Sequence, residues 1–329
     1  MKDIVKRWKI IFCILLFPTI SHGQMLFEEF FEDNNFTSRG WYDGATGVID
    51  CSEHAPVLGS SCSLKAFWTS GATKPSGGSW TFRHKFPDTD SVYIGFWIKH
   101  TINWAGSGVS YHPHMFMFLT NLESDYSGLA YDHLDVYVEE HCTANNSPTG
   151  TCAGKLWVLT QDSMNIDTAN INVNLVNITE NRAVAGCNGD SDGYGNGSCY
   201  QSGGKWYNGK NYPSSNIFVQ DSAGSYYKND WHFIEVYFKL NTISGGIGQR
   251  DGIIQMWYDG ASVYAYNNVV LRTGQYPNMK FNQIIFAPYI GNGSPVNQQG
   301  FWIDNLTIGN SKPVSDLPPA PPQNLRIVQ

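Results

Sequence analysis

The run over residues 231–240, WHFIEVYFKL, alternates between apolar and polar positions. Its even-numbered positions from 234 to 240 are all apolar, while the odd-numbered positions from 235 to 239 hold Glu, Tyr and Lys. Because successive side chains of a strand point to opposite faces, this pattern predicts a strand that is buried on one face. Such a strand has to lie in a sheet that covers a core on one side, which restricts the chain to layered β folds.

The rest of the sequence also favours short strands joined by turns. The run DGIIQMWYDG holds a strand between two Asp-Gly dipeptides, which accept the positive φ of tight hairpins. Charged residues make up only 15% of the chain, aromatic residues make up 14%, and no segment keeps a helical period. The predicted strands cover residues 25–31, 63–68, 79–86, 92–102, 112–120, 134–140, 155–161, 231–240, 253–258, 263–266, 281–288 and 301–308.

The strands at 231–240, 253–258 and 301–308, with the turns between them, resemble the C-terminal half of the concanavalin A-like jelly roll. This fold occurs in heparin-lyase-like and alginate-lyase-like polysaccharide lyases, in laminin G modules and in lectins. The resemblance implies an all-β protein with a two-sheet antiparallel jelly-roll sandwich of the lectin/glucanase type. It also implies that the partner of the protein is a polysaccharide.

Residues 1–23 have the composition of a secretory signal peptide. Four basic residues precede an apolar run at 10–20, and small residues stand where signal peptidase cuts. The apolar run is shorter than the roughly 20 residues that a membrane-spanning helix needs. We therefore expect an exported protein, periplasmic or extracellular, with no membrane span.

The remaining chain is acidic and is predicted to form one large domain. The sequence has 21 Lys and Arg against 28 Asp and Glu, and the leader removes mainly basic residues, which disfavours nucleic acid as a partner. We expect a jelly-roll domain over 24–310, interrupted by a long stretch at 163–230 that acts as a cover or a stapled insertion. Residues 311–329 are Pro-rich and predict a linker, or the start of a truncated module similar to fibronectin type III. The domain would then be a monomeric module of a larger protein.

Six cysteines follow the leader, an even number that predicts disulfides in an exported chain. They fall into three local couples, and each couple encloses a turn rich in Gly, Ser, Asn or Pro. No Cys-x-x-Cys spacing of a zinc site occurs. We expect long loops stapled by the local pairs Cys51 with Cys62, Cys142 with Cys152, and Cys187 with Cys199.

The most prominent polar cluster is Tyr-His-Pro-His at 111–114, which opens a predicted strand. Strict alternation would put one set of side chains on one face of that strand, His112, His114, Phe116 and Phe118, and would put Met115, Met117 and Leu119 on the other. The jelly-roll lyases that the chain resembles use a His or Tyr to remove the proton alpha to a uronate carboxylate, and polar side chains to offset the carboxylate charge. His112 or His114 is therefore the candidate base. A metal site is the alternative, with a third ligand from His100, His133 or Glu139.

The run LDVYVEE at 134–140 places Asp135, Tyr137 and Glu139 on the face opposite its apolar residues. Tyr137 is the candidate proton donor to the leaving oxygen, because a phenol both donates and accepts protons. The same run is similar to the Glu-x-Asp-x-Glu strand of laminarinase-type glycosidases, which makes Asp135 and Glu139 an alternative hydrolase pair.

Further side chains would share this polar face if the strands align. Lysine and arginine suit acidic sugars, and tryptophan stacks on pyranose rings. The candidate substrate-binding residues are Lys99, Arg83, Glu139, Trp157, Gln161 and Lys239. The chemistry requires no cofactor, but Asp304 together with Glu28 resembles the structural calcium site of many jelly rolls.

These observations predict a secreted carbohydrate-active protein, with a lyase that cleaves a uronate-containing or sulfated polymer by β-elimination as the first hypothesis. One alternative is a lectin or adhesion module that binds glycan without cleaving it. The other is the glycoside hydrolase that uses Asp135 and Glu139, which would release reducing ends without a double bond.

Overall fold

Nearly all regular structure in this chain is antiparallel β-strand. The computed structural model describes residues 23–108, 112–123, 134–142, 154–162, 197–202, 205–214, 218–274 and 276–313. Within these ranges the chain forms strands β1 to β17, one turn of 3₁₀ helix at Phe36–Arg39 and no α-helix. None of the helical structure in the described residues could span a membrane.

Eight strands form one sheet, which we call sheet A. Strand β1 pairs with β17, and the other seven follow the order β15, β14, β11, β5, β17, β3, β2. The strands are β1 (Met25–Glu29), β2 (Val48–Asp50), β3 (Ser63–Trp68), β5 (Ser91–His100), β11 (His232–Lys239), β14 (Gly252–Tyr258), β15 (Ala261–Val269) and β17 (Gln299–Gly309).

Seven strands form the second sheet, sheet B, in the order β4, β16, β6, β7, β8, β10, β9. They are β4 (Phe82–Thr89), β6 (His114–Thr120), β7 (Asp135–Cys142), β8 (Gly154–Asp162), β9 (Gly197–Ser202), β10 (Lys205–Pro213) and β16 (Phe281–Phe286). A small hairpin joins β12 (Ile243–Ser244) and β13 (Ile247–Gly248). Strands β9 and β10 come from the long stretch at 163–230, so part of that stretch extends sheet B, which the sequence did not predict.

The two sheets pack face to face over an aromatic core. Phe96 of sheet A lies with its ring centroid 5.9 Å from that of Phe116 of sheet B, in an edge-to-face arrangement. Phe238 on β11 meets Phe118 on β6 at 6.2 Å, so the apolar face predicted for residues 231–240 is the core face. Each such side chain contributes about 1.5–3 kcal/mol when it is fully buried. The predicted two-sheet jelly-roll sandwich is therefore confirmed.

Strand β6 contains a β-bulge that changes which residues share a face. His114 lies opposite Glu139, but the next pair along the strands is Phe116 with Val138. Met115 is thus an extra residue in β6 that has no partner of its own across the ladder, which is the defining feature of a bulge.

The bulge breaks the predicted alternation between His114 and Phe116, while the alternation from Phe116 to Leu119 is as predicted. Met117 and Leu119 belong to a small apolar cluster on the outer face of sheet B, whereas Phe116 and Phe118 point into the main core. The expectation that His114 shares a face with Phe116 and Phe118 was wrong, because it assumed an unbroken strand.

The two ends of the described chain meet in sheet A. Met25 of β1 pairs with Gly309 of β17, and the backbone N–H of Gln24 donates to Oδ1 of Asn310 at 2.7 Å. Both ends therefore leave the sandwich from the same edge of the same strand pair.

A disulfide between Cys51 and Cys62 closes a loop that lies against the outer face of sheet A. Ala55 in this loop packs with Trp97 and Trp302. This pair confirms the first predicted couple. The couples Cys142 with Cys152 and Cys187 with Cys199 involve side chains outside the described residues and stay predictions.

Replacing both Cys51 and Cys62 with alanine should lower the free energy of unfolding by about 2–3 kcal/mol, the value expected for a short closed loop. Urea denaturation of the double variant and of the parent protein under oxidising conditions measures this difference. Under reducing conditions the parent protein and the double variant should be equally stable, and an equal stability under oxidising conditions as well would show that sheet A does not need the staple.

Candidate functional site

A cluster of polar side chains lies on the outer face of sheet B, where β6 and β7 run side by side. The ring of His114 is 4.7 Å from that of Tyr137 and 4.6 Å from that of His112, measured between centroids. Nε2 of His114 is 2.7 Å from Oε1 of Glu139. The structure thus brings together four of the residues that the sequence selected.

Ordinary strand alternation on β7 places two of these residues. Tyr137 and Glu139 point outward, while Val136 and Val138 point into the core, as the sequence predicted. The bulge in β6 then turns His114 to the same outer face, directly opposite Glu139. The site therefore depends on a local irregularity that the apolar pattern did not reveal.

His112 is held from the other side by the connection between β16 and β17. Its backbone has φ of 62°, a left-handed conformation that is uncommon for a residue with a side chain. The N–H of Gly291 donates to Nδ1 of His112 at 2.9 Å. A Cβ atom at position 291 would lie 2.7 Å from Cε1 of that imidazole, so only glycine permits this approach.

Tyr289 is a site residue that the sequence reasoning missed. Its ring centroid lies 5.3 Å from that of His112, and 38% of the residue is exposed. An exposed aromatic ring beside polar groups is typical of a sugar-binding surface. The available signal was the glycine-rich segment 289–293, which joins two predicted strands and includes Gly291.

Exposure increases from the floor of the site to its rim. Tyr137 and Glu139 are each only 2% exposed, whereas the side chain of His114 is 13% exposed. Met117 and Ile285 pack around Tyr137 on the neighbouring strands. The buried carboxylate of Glu139 is compensated by the imidazole N–H of His114, as a buried charge requires.

His112, His114 and Glu139 are close enough to hold a metal ion, since their ligand atoms lie within 4.8 Å of one another. A histidine ligand normally donates its second ring N–H to an acceptor. In His112 one ring nitrogen instead faces the N–H donor of Gly291, so its hydrogen bonding does not fit a metal ligand. Of the other predicted third ligands, His100 binds Glu140 in the core, and His133 lies outside the described residues.

Asp135 and Glu139, the alternative hydrolase pair, share the outer face of β7. They are four residues apart along one strand, about 13 Å between Cα atoms, as are the two carboxylates of the laminarinase-type strand, so their burial and partners decide between the two functions. Asp135 is fully buried, and Glu139 is occupied by His114.

Lys99 and Lys239 were predicted to share this face, and that prediction was wrong. Both lie on strands of sheet A, the other layer of the sandwich. Nζ of Lys99 pairs with Glu53 at 2.8 Å, and Lys239 is exposed at the end of β11. The alternation was read correctly, but a single sequence does not assign each strand to its sheet.

Arg83 lies on sheet B but away from the cluster. In the cross-strand row it is followed by Ile285, Met117 and Tyr137, so three strand spacings, or about 14 Å, separate it from Tyr137. Arg83 is completely buried, and its Nε lies 3.2 Å from Asp43. Arg83 therefore stabilises the edge of sheet B and does not belong to the cluster.

Trp157 and Gln161 lie on β8, the strand next to β7. Trp157 pairs with Glu139 and Gln161 pairs with Asp135 through the backbone ladder, so both positions border the cluster. Their side chains are outside the described part of the structure, and their substrate-binding roles stay predictions.

Asp304 and Glu28 do not form the predicted calcium site. Oδ2 of Asp304 accepts hydrogen bonds from the N–H of Ala55 at 2.8 Å and the hydroxyl of Ser60 at 2.5 Å, and Oδ1 accepts from Asn305. Burial raises the pKa of the Asp304 carboxyl, and these three donors partly offset the shift. Glu28 is exposed on β1. The oxygens of Asp304 thus anchor the 51–62 loop and do not fit a cation ligand.

Asp304 should therefore contribute no calcium dependence to the stability of this protein. The shift of the thermal unfolding midpoint between excess calcium and excess chelator should be the same in the parent protein and in Asp304→Ala, measured by circular dichroism. Asp304→Ala should lower the free energy of unfolding by about 1–3 kcal/mol, because buried donors lose their acceptor. If the midpoint depends on chelator in the parent protein and this dependence is lost in Asp304→Ala, Asp304 binds calcium after all.

Comparisons with known proteins show the fold. No family model matches the sequence, and none of the curated proteins matches it. The marine PL-14 alginate lyase from Aplysia kurodai is 13% identical with a TM-score of 0.50, over 87% of this chain and 98% of the lyase. An endo-β-1,4-glucuronan lyase from Trichoderma reesei is 14% identical with a TM-score of 0.44, over 88% of this chain and 96% of the lyase. The alginate lyase vAL-1 from Chlorella virus is 14% identical with a TM-score of 0.44, over 88% of this chain and 99% of the lyase. The predicted resemblance to jelly-roll polysaccharide lyases is confirmed at the level of the fold.

Proposed function

We propose that this protein is an exported polysaccharide lyase that cleaves a uronate-containing polymer by β-elimination. The observation that carries the proposal is the contact of three rings on one sheet face, His112 and Tyr137 each lying less than 5 Å from His114 between centroids. Imidazole and phenol are the groups that proton removal and proton donation require near neutral pH.

The elimination transfers two protons, one to a histidine and one from Tyr137, and the electron pair of the broken C–O bond leaves with the glycosidic oxygen. A histidine takes the proton from the carbon alpha to the uronate carboxylate, and the C–H electrons form a double bond to the neighbouring carbon. The bond from that carbon to the glycosidic oxygen breaks, and the phenol of Tyr137 gives its proton to the leaving oxygen. A hydrogen-bond donor at the carboxylate stabilises the enolate-like charge as it forms.

The hydrolase alternative has less support from the same cluster. A retaining hydrolase needs two carboxyl groups about 5–5.5 Å apart across the sugar. Here Glu139 is bound to His114 at the bottom of the site, whereas the more accessible polar groups are imidazoles. This order of exposure favours proton transfer by histidine.

The test is the appearance of the unsaturated product by ultraviolet absorbance with alginate, glucuronan and heparinoid polymers. His114→Ala should abolish the signal. His54→Ala is the matched control, because His54 lies in the 51–62 loop on the other sheet and should leave activity unchanged. Reducing ends without absorbance would favour the hydrolase, and glycan binding that survives His114→Ala without any cleavage would favour the lectin.

A further inference from the structure

We propose that Gly291 and Glu139 are positioning residues that give the two histidines different roles in the elimination. Gly291 occupies the lone pair of His112, which leaves His112 as an N–H donor to the substrate carboxylate. Glu139 occupies the N–H of His114, which leaves Nδ1 of His114 as the base. This inference rests on the proposed function and assigns the residues within that site.

The role of His112 follows from the donor that faces it. Nδ1 of His112 accepts the N–H of Gly291 at 2.9 Å, so this nitrogen carries no proton. In a neutral imidazole the other nitrogen, Nε2, then carries the proton and is a donor. A proton added to Nδ1 would face the N–H of Gly291, and the protonated ring would have to break that bond. His112 is therefore suited to donate a hydrogen bond and not to remove a proton.

The close approach of Gly291 makes this hydrogen bond specific. The imidazole lies against the Cα atom of Gly291, where a Cβ would be 2.8 Å from Nδ1. Tyr289, two residues earlier, contacts the same ring at 5.3 Å between centroids. The connection between β16 and β17 thus fixes both the orientation and the proton position of His112.

The role of His114 follows from its acceptor. Nε2 of His114 lies 2.7 Å from Oε1 of Glu139, and an ionised carboxylate only accepts hydrogen bonds. The neutral imidazole therefore carries its proton on Nε2 and its lone pair on Nδ1. Within the described ranges no residue hydrogen-bonds to Nδ1 of His114. When Nδ1 takes the substrate proton, Glu139 stabilises the resulting imidazolium, as the buried carboxylate of a catalytic triad does for its histidine.

Nuclear magnetic resonance tests these hydrogen bonds without any substrate. In uniformly ¹⁵N-labelled protein at a pH where both rings are neutral, we expect both to carry the proton on Nε2. We also expect a scalar coupling across the hydrogen bond from the Gly291 amide nitrogen to Nδ1 of His112. A proton on Nδ1 of either ring, or no coupling at Gly291, overturns the inference even if the protein cleaves a polymer.

Glutamine at each histidine position tests the roles, since glutamine donates a hydrogen bond but is no base near neutral pH. His114→Gln should reduce kcat by about 10²–10⁴-fold, the contribution of a general base. His112→Gln should keep kcat within about tenfold of the parent enzyme and mainly change KM, because its amide still donates to the substrate. A variant His114→Gln that is more active than His112→Gln overturns the assignment.

Glu139→Gln supplies a readout that a structural role would not move. Without the carboxylate the imidazolium of His114 is less stable, so the acid limb of the kcat/KM profile should move to lower pH. An acid limb that stays in place while kcat falls would show that Glu139 acts only in packing and would overturn its positioning role.

Discussion

Replacing Glu140 with alanine should lower the free energy of unfolding by about 2–6 kcal/mol, about 1–3 kcal/mol for each of two buried hydrogen-bond donors left without an acceptor. Glu140 is 1% exposed and points into the core from β7. Its Oε1 lies 2.7 Å from Nε2 of His100 on the other sheet, and its Oε2 accepts the indole N–H of Trp104 at 2.9 Å. The variant would leave two buried donors without their acceptor. Urea denaturation followed by tryptophan fluorescence measures the loss.

Glu139 is the matched control for this prediction, because it is the adjacent residue on the opposite face of the same strand. Glu139→Ala should cost less stability than Glu140→Ala, since its partner His114 is partly exposed and can turn to water. It should instead reduce lyase activity, which Glu140→Ala should retain in the fraction that stays folded. Equal losses of stability in the two variants would contradict the division of β7 into a core face and a site face.

Replacing Tyr137 with phenylalanine should reduce kcat by about 10²–10⁴-fold, the range for loss of a proton donor. The substitution removes only the phenolic oxygen and keeps the ring that packs against Met117 and Ile285. Its free energy of unfolding should therefore remain within about 1 kcal/mol of the parent protein. Initial rates of absorbance increase, with urea denaturation on the same samples, separate the two effects.

Tyr289→Phe is the control for Tyr137→Phe. It removes the same oxygen from an exposed ring at the rim and should change kcat by less than about threefold if Tyr289 acts by stacking. Tyr137→Phe with full activity would exclude the phenol as proton donor and would transfer that role to water.

The fold was largely predictable because single-face burial leaves a clear pattern in the sequence. The alternation at residues 231–240 is the core face of β11, and the Asp-Gly dipeptides bound β14 as expected. Strands β9 and β10 were not predicted, because their sequence is polar and rich in Gly, Asn and Tyr, without an apolar alternation.

The site was predictable only where residues lie on one continuous strand. Tyr137 and Glu139 on β7 have the predicted orientation. The bulge in β6 could not be read from the sequence, since Met115 and Phe116 are both apolar and fit either face. Lys99 and Lys239 were misassigned because alternation gives the face of a strand but not the sheet to which the strand belongs.

Contacts from loops were the least predictable part of the site. Gly291 and Tyr289 contact His112 from the connection between β16 and β17. The hydrogen bond between Gly291 and His112 joins residues that are 179 positions apart in the sequence. Asp304 has the sequence context of a cation ligand, yet backbone donors from a distant loop satisfy it. Such long-range partners depend on the complete fold and leave no local pattern.

The pairing of Met25 with Gly309 has a practical consequence for engineering. A short peptide could join these neighbouring positions, and new termini could be opened in a surface turn elsewhere, which gives a circular permutant with the same sheets. Fusion partners attached directly at Met25 and Gly309 would project from sheet A, on the other layer of the sandwich from His114, and would leave a polymer bound at His114 unobstructed.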